Sequence, residues 1–89
     1  MDLQSKTGSV VNADGSVSEL PVEEIIQGTE ILVKVGQTVP LDGIVVKGSA
    51  SMDVSMMTGE SNPVFVKEND LVMGGTIVLD SAIHIKSTK

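Results

Sequence analysis

The stretch Glu30-Ile31-Leu32-Val33-Lys34-Val35-Gly36-Gln37-Thr38-Val39-Pro40-Leu41-Asp42-Gly43-Ile44-Val45-Val46-Lys47 decides the fold. Ile31, Val33 and Val35 fall on one face of an extended chain. Gly36 to Pro40 turns it, and Ile44 to Lys47 is a second run rich in β-branched residues. Alternation with period two, broken by Gly and Pro, is the pattern of strands. Two core strands are expected here.

The same pattern extends in both directions. Upstream, Ser9-Val10-Val11 and Ser16 to Leu20 flank Asn12-Ala13-Asp14-Gly15, whose Asp-Gly pair supplies the positive φ of a tight hairpin. Pro21 fits the start of a helical turn over Val22 to Ile26, which Gly28 ends in the left-handed region. Downstream, Gly48 to Ser51 reads as a polar bend. Pro63 to Lys67 is a strand whose proline belongs at its start or edge. After the turn Glu68-Asn69-Asp70 come Leu71-Val72-Met73, Thr76 to Leu79 and Ala82 to Lys86. The expectation is an all-β domain of about seven to nine strands with one short helical turn. Residues 1–89 make one domain, with 1–6 and 87–89 as frayed ends.

Composition narrows the function. Twelve acids against six lysines give a net charge of −6, with no arginine, cysteine, tryptophan or tyrosine and one phenylalanine, Phe65. Nucleic acid is held by basic grooves and aromatic platforms, so this chain is not expected to bind it. Without cysteine there is neither a disulfide framework nor a thiolate metal site. No apolar run approaches the roughly 20 residues that span a bilayer, so the chain itself is not expected to insert.

One segment is not explained by strand building: Asp53-Val54-Ser55-Met56-Met57-Thr58-Gly59-Glu60-Ser61-Asn62-Pro63-Val64. Thr58, Gly59, Glu60 and Ser61 form a polar turn that projects a carboxylate, and by itself this reads as a solvated loop tip. His84 in Ile83-His84-Ile85 has no second His and no Cys, so it reads as a solvent-facing strand histidine; a metal site needs partners. Met52, Met56, Met57 and Met73 read as packing residues. Gly74-Gly75 lacks the Lys-Ser/Thr of a phosphate loop.

Thr58-Gly59-Glu60-Ser61 resembles the signature loop of the actuator domain of P-type cation-transporting ATPases. Pro40-Leu41-Asp42-Gly43 before it, Asp53-x-Ser55 beside it and Pro63-Val64 after it match as well. Leu3-Gln4-x-Lys6-Thr7, Asp14-Gly15, Pro21-Val22-Glu23-Glu24 and Gly74-Gly75-Thr76 resemble the heavy-metal class, copper-transporting members above all. Val54 departs from that pattern, which has Glu there.

The resemblance implies a distorted jelly-roll-like β-sandwich, with both ends at one pole leading to membrane helices. It implies that Thr58, Gly59, Glu60 and Ser61 are the catalytic segment for hydrolysis of an aspartyl-phosphate held on another domain, with Glu60 orienting the water. It further implies no cofactor or metal site in this domain, ATP and Mg2+ in the parent protein, and a transported metal bound elsewhere. The partners are then the phosphorylation domain, the nucleotide-binding domain and the transmembrane helices of the same chain. The domain is monomeric and on the cytoplasmic side, and the excised piece is inactive alone.

Two other classes stay open on the residues. Ile31 to Val39 resembles half of a biotinyl or lipoyl carrier domain, although Lys34, Lys47, Lys67 and Lys86 all lack the setting of a modifiable lysine. The other is a non-catalytic β-rich interaction module.

Overall fold

The computed structural model describes residues 7–55, 59 and 62–88. Among them are nine strands: β1 (Thr7–Val11), β2 (Val17–Pro21), β3 (Glu30–Val33), β4 (Gly43–Lys47), β5 (Ala50–Asp53), β6 (Val64–Val66), β7 (Leu71–Val72), β8 (Ile77–Val78) and β9 (Ile83–Ser87). They form a six-stranded sheet, order β2-β1-β3-β9-β4-β7, and a three-stranded sheet, order β6-β5-β8. All the pairings are antiparallel. The all-β expectation holds.

Local chemistry explains where the chain reverses. In the β1–β2 hairpin Gly15 takes φ +91. The Asp14 carboxylate accepts the Ser16 N–H at 2.9 Å and its hydroxyl at 2.7 Å. These bonds favour the ionised carboxylate and hold the Asp14 pKa below its usual range, the hydroxyl contributing most.

The helical connector is shorter than its sequence pattern, a single 3-10 turn at Val22–Glu24. Ile25 leaves it in extended conformation and is buried. It packs beneath Gly8, where an added Cβ would lie 2.9 Å from the Ile25 Cδ1.

Three further expectations are corrected. Strand β3 stops at Val33, so Val35 does not join Ile31 and Val33 in the core and is 53% exposed. The Lys34 N–H donates to the Gln37 side-chain oxygen at 3.0 Å, and the Gly36 N–H donates to the Val78 carbonyl at 2.8 Å. The turn therefore docks on the small sheet before Val35 can pair. The polar bend expected over Gly48 to Ser51 is confined to Gly48 and Ser49. Gly48 at φ +91 reverses the chain quickly enough for Ala50 to pair with Val66. Ser87, expected in the frayed tail, is instead part of β9. Ser87 is buried, its N–H donates to the Thr29 carbonyl at 2.9 Å and its hydroxyl donates to the Ile26 carbonyl at 2.7 Å.

Strands β1 and β9 both run antiparallel to β3, so they run parallel to one another. Ser9, Leu32 and His84 stand level across the sheet. Thr7 consequently lies at the end where β9 begins, and Ser87 at the other. The chain ends on which the expected shared pole depends lie outside the described residues; Thr7 and Ser87 themselves stand at opposite ends of the strand run.

The core lies between the sheets. Ile31, Val33, Val45, Ile83 and Ile85 come from the large sheet, and Ala50, Met52, Val66 and Val78 from the small one. Among the described residues it is aliphatic apart from the thioether of Met52, with Phe65 left 62% exposed on β6. Burying each of these Val, Ile and Met side chains stabilises the fold by about 1.5–3 kcal/mol.

Candidate functional site

The segment between Asp53 and Val64 leaves the small sheet and returns to it. Met52 on β5 pairs with Val64 on β6, so the two feet of the excursion stand one strand spacing apart. Asp53 ends β5, and its Oδ1 accepts the Ser55 N–H at 2.9 Å. That is an Asx turn, in which an acid accepts the backbone N–H two residues on. Ser55 is helical, and its carbonyl accepts the Gly59 N–H at 2.7 Å, an i to i+4 bond. Gly59 sits at φ +77, the left-handed conformation that ends such a turn.

Gly59 is exposed, and a Cβ added to it would meet nothing within 4 Å. Backbone conformation, rather than space, is what requires glycine there. Of the four residues singled out from the sequence, the structure places Gly59 alone; Thr58, Glu60 and Ser61 lie outside the described residues, as do Met56 and Met57.

The bonds from Ser55 lower the Asp53 pKa, its N–H contributing most and its hydroxyl next, because both favour the ionised carboxylate. In the sequence, Asp53 and Ser55 stand out only as part of a motif.

Val54, the departure from the Asp-Glu-Ser pattern, is half-buried and packs against the core cluster. With Met52, Val64, Leu71 and Met73 it lines an apolar groove of about 240 Å³ beside the excursion. A valine suits that environment, where a carboxylate would lose hydration.

Other motif residues belong to the scaffold. The Asp42 carboxylate accepts the Gly74 N–H at 2.7 Å, joining Pro40 to Gly43 with the Gly74-Gly75 stretch. A Cβ on Gly43 would stand 2.8 Å from the Lys86 carbonyl oxygen, and one on Gly74 would stand 3.0 Å from the Leu41 Cα. Both glycines permit close backbone approach.

His84 is only 26% exposed, and its Nδ1 lies 2.7 Å from the Glu30 carboxylate. It is a strand histidine on the face turned away from the core, as expected, and it is paired across the sheet with Glu30. Fifty-four positions separate the two, so no local signal marks the pair. Among the described residues no three His, Cys, Asp or Glu side chains group as a metal site. Met52 is buried as a packing residue, whereas Met73 is 53% exposed on the groove and corrects that part of the expectation.

The fold and tip define a two-sheet β domain that carries a polar excursion out from one strand pair. A family model described as the P-type ATPase actuator domain matches residues 2–89. The copper-exporting P-type ATPase of Staphylococcus saprophyticus is 36% identical over 89 residues, covering 100% of this chain and 11% of that protein. The probable copper-importing P-type ATPase A of Enterococcus hirae is 40% identical over 86 residues, covering 97% of this chain and 12% of that one. A crystal structure of a zinc-transporting PIB-type ATPase superposes with a TM-score of 0.90 at 29% identity, over 100% of this chain and 14% of that one.

The chain belongs to the P-type ATPase actuator domain family. Neither the carrier domain nor the plain interaction module survives that result. The chain spans about a ninth of the length of these two curated relatives. No helix among the described residues is long and apolar enough to cross a membrane.

Proposed function

We propose that the chain acts as the actuator of an ATP-driven heavy-metal transporter, with copper as the cargo. The observation that carries this reading is the exposed, left-handed Gly59 on an excursion between paired strands, in a chain of the actuator family. The copper named in the relatives from Staphylococcus saprophyticus and Enterococcus hirae supports the choice of metal.

In this reading the domain sits on the cytoplasmic side as a monomeric unit of a longer chain. ATP and Mg2+ serve the phosphorylation and nucleotide-binding domains, and the metal binds between transmembrane helices. Thr58, Gly59, Glu60 and Ser61 enter the phosphorylated site of the neighbouring domain. A water attacks phosphorus in line, the bond from phosphorus to the aspartyl oxygen breaks, and inorganic phosphate leaves. Glu60 orients that water and takes its proton, a role worth about 10² to 10⁴ in rate. Thr58 and Ser61 donate hydrogen bonds to the loop or the phosphate. Movement of the whole domain then couples this step to the helices, as domain rotations do in other switching proteins.

The test is Glu60→Gln in the full-length transporter. Phosphorylation by ATP is expected to persist while the phosphoenzyme accumulates and copper-stimulated turnover collapses. Dephosphorylation at the wild-type rate in a chase would remove Glu60 from the mechanism.

A further inference from the structure

We infer that the buried Ser87 hydroxyl is a clasp that fixes where the chain beyond β9 leaves the domain, which makes Ser87 a positioning residue for the coupling step. The inference rests on the proposed function for its consequence in transport, and on described geometry for its physical content.

Strand β9 outlasts its neighbour β3: Lys86 pairs with Glu30, the first residue of β3, and Ser87 stands one position beyond. On the other side Gly43 of β4 still pairs with Ser87. The connector that leads into β3 takes the place of the missing strand. The Ser87 N–H donates to the Thr29 carbonyl at 2.9 Å, and the Ser87 carbonyl accepts the Gly28 N–H at 2.8 Å. The hydroxyl donates to the Ile26 carbonyl at 2.7 Å and accepts the Thr29 N–H at 3.3 Å. These bonds converge on a residue that is 2% exposed. One position later the Thr88 N–H donates to the Asp42 carbonyl at 3.1 Å.

Ile83 and Ile85 precede Ser87 on the same buried face of β9, and an apolar side chain would continue it. A hydroxyl buried there costs free energy unless it is bonded. What it adds is a bond to a loop that no strand pairing holds. The Ile26 carbonyl also accepts the Thr29 hydroxyl at 2.7 Å, and the Thr29 N–H reaches the same carbonyl at 3.3 Å. Removing the Ser87 hydroxyl therefore orphans neither partner. The loss is that of one ordinary hydrogen bond, about two- to tenfold in the equilibrium that closes the clasp.

With the clasp closed, the chain beyond starts from a residue held on both flanks, so displacement of the domain is passed on at once. With it open, the end of β9 swings first and absorbs part of the movement.

The experiment compares Ser87→Ala, which loses the hydroxyl, with Ser87→Pro, which loses the N–H as well. Amide exchange is read at Gly28 and Thr88 in the 89-residue chain, with Gly15 of the β1–β2 hairpin as reference. Ser87→Ala is expected to speed exchange at Gly28 and Thr88 about two- to tenfold and to leave Gly15 unchanged, since local openings are independent of one another. In the full-length transporter the copper carried per phosphate released is expected to fall in the order wild type, Ser87→Ala, Ser87→Pro. A smaller quantity of folded enzyme would leave that ratio unchanged, and Ser87→Ala decides the matter alone should the proline variant fail to fold.

Unchanged exchange at Gly28 and Thr88 in Ser87→Ala overturns the clasp. So does equal acceleration at Gly15, which marks a loss spread over the whole domain. An unchanged copper-to-phosphate ratio in Ser87→Ala, beside a Glu60→Gln transporter that no longer dephosphorylates, overturns the coupling role and leaves the proposed function standing. A wild-type chase for Glu60→Gln removes the proposed function, and with it the role of Ser87 in transport.

Discussion

Replacing Gly59 by alanine separates the backbone requirement at the tip from every other effect. The glycine sits at φ +77, and the added methyl group would meet nothing within 4 Å, so no clash enters. An L residue in the left-handed region costs roughly 1–2 kcal/mol. Alanine offsets about 0.4–1 kcal/mol of this by restricting the unfolded chain. The net effect centres on about 1 kcal/mol, a factor of about five in the equilibrium constant for holding the native tip. Far-UV circular dichroism during urea unfolding is the suitable assay, because the chain has no tryptophan or tyrosine to report by fluorescence. If unfolding is global, about 1 kcal/mol shifts the melting temperature by about 4–8 °C in a domain of this size. If the tip opens locally, the shift is smaller and Gly59 amide exchange carries the change. The order across substitutions is diagnostic: asparagine, which visits the left-handed region, is expected to fall between glycine and alanine, with valine worst. Valine tolerated as well as asparagine would refute the conformational requirement.

Gly43→Ala is expected to destabilise the chain by about 1–3 kcal/mol, because its Cβ would stand 2.8 Å from the Lys86 carbonyl oxygen, a backbone atom that cannot turn aside. Urea unfolding checks this, and a neutral result would mean that β4 and β9 separate at little cost. For pH, the Asp53 pKa is lower in the folded chain than its ordinary value of 3.8. A group depressed on folding contributes stability above the ordinary value and loses it as pH falls through the folded value. Gly59 exchange is therefore expected to rise only below about pH 4. Asp53→Ala is expected to abolish that acid-side change, and NMR titration of the Asp53 carboxyl measures the shift directly.

Reversals of the chain were legible because their signals are local. Asp14-Gly15 and Gly28 announce positive φ in the sequence, and the structure places both glycines there. Strand limits were less legible because partners far along the chain set them: Ala50 begins β5 by pairing with Val66, and Val35 is lost to a turn that docks on Val78. The Glu30–His84 pair meets across 54 positions, beyond any spacing rule. At the site, an exposed Gly-Glu turn carries no chemical signature by itself, so only the resemblance singled out Thr58 to Ser61.

The parallel course of β1 and β9 on either side of β3 has a mechanical consequence. A tug on Thr7 and an opposing tug on Ser87 run along the strands in opposite senses, with β3 between them. Load of that kind shears the interstrand hydrogen bonds together instead of peeling them one at a time. Every rung must yield at once before the sheet slips, so tension entering at the two ends crosses the domain as rigid-body displacement rather than as unravelling.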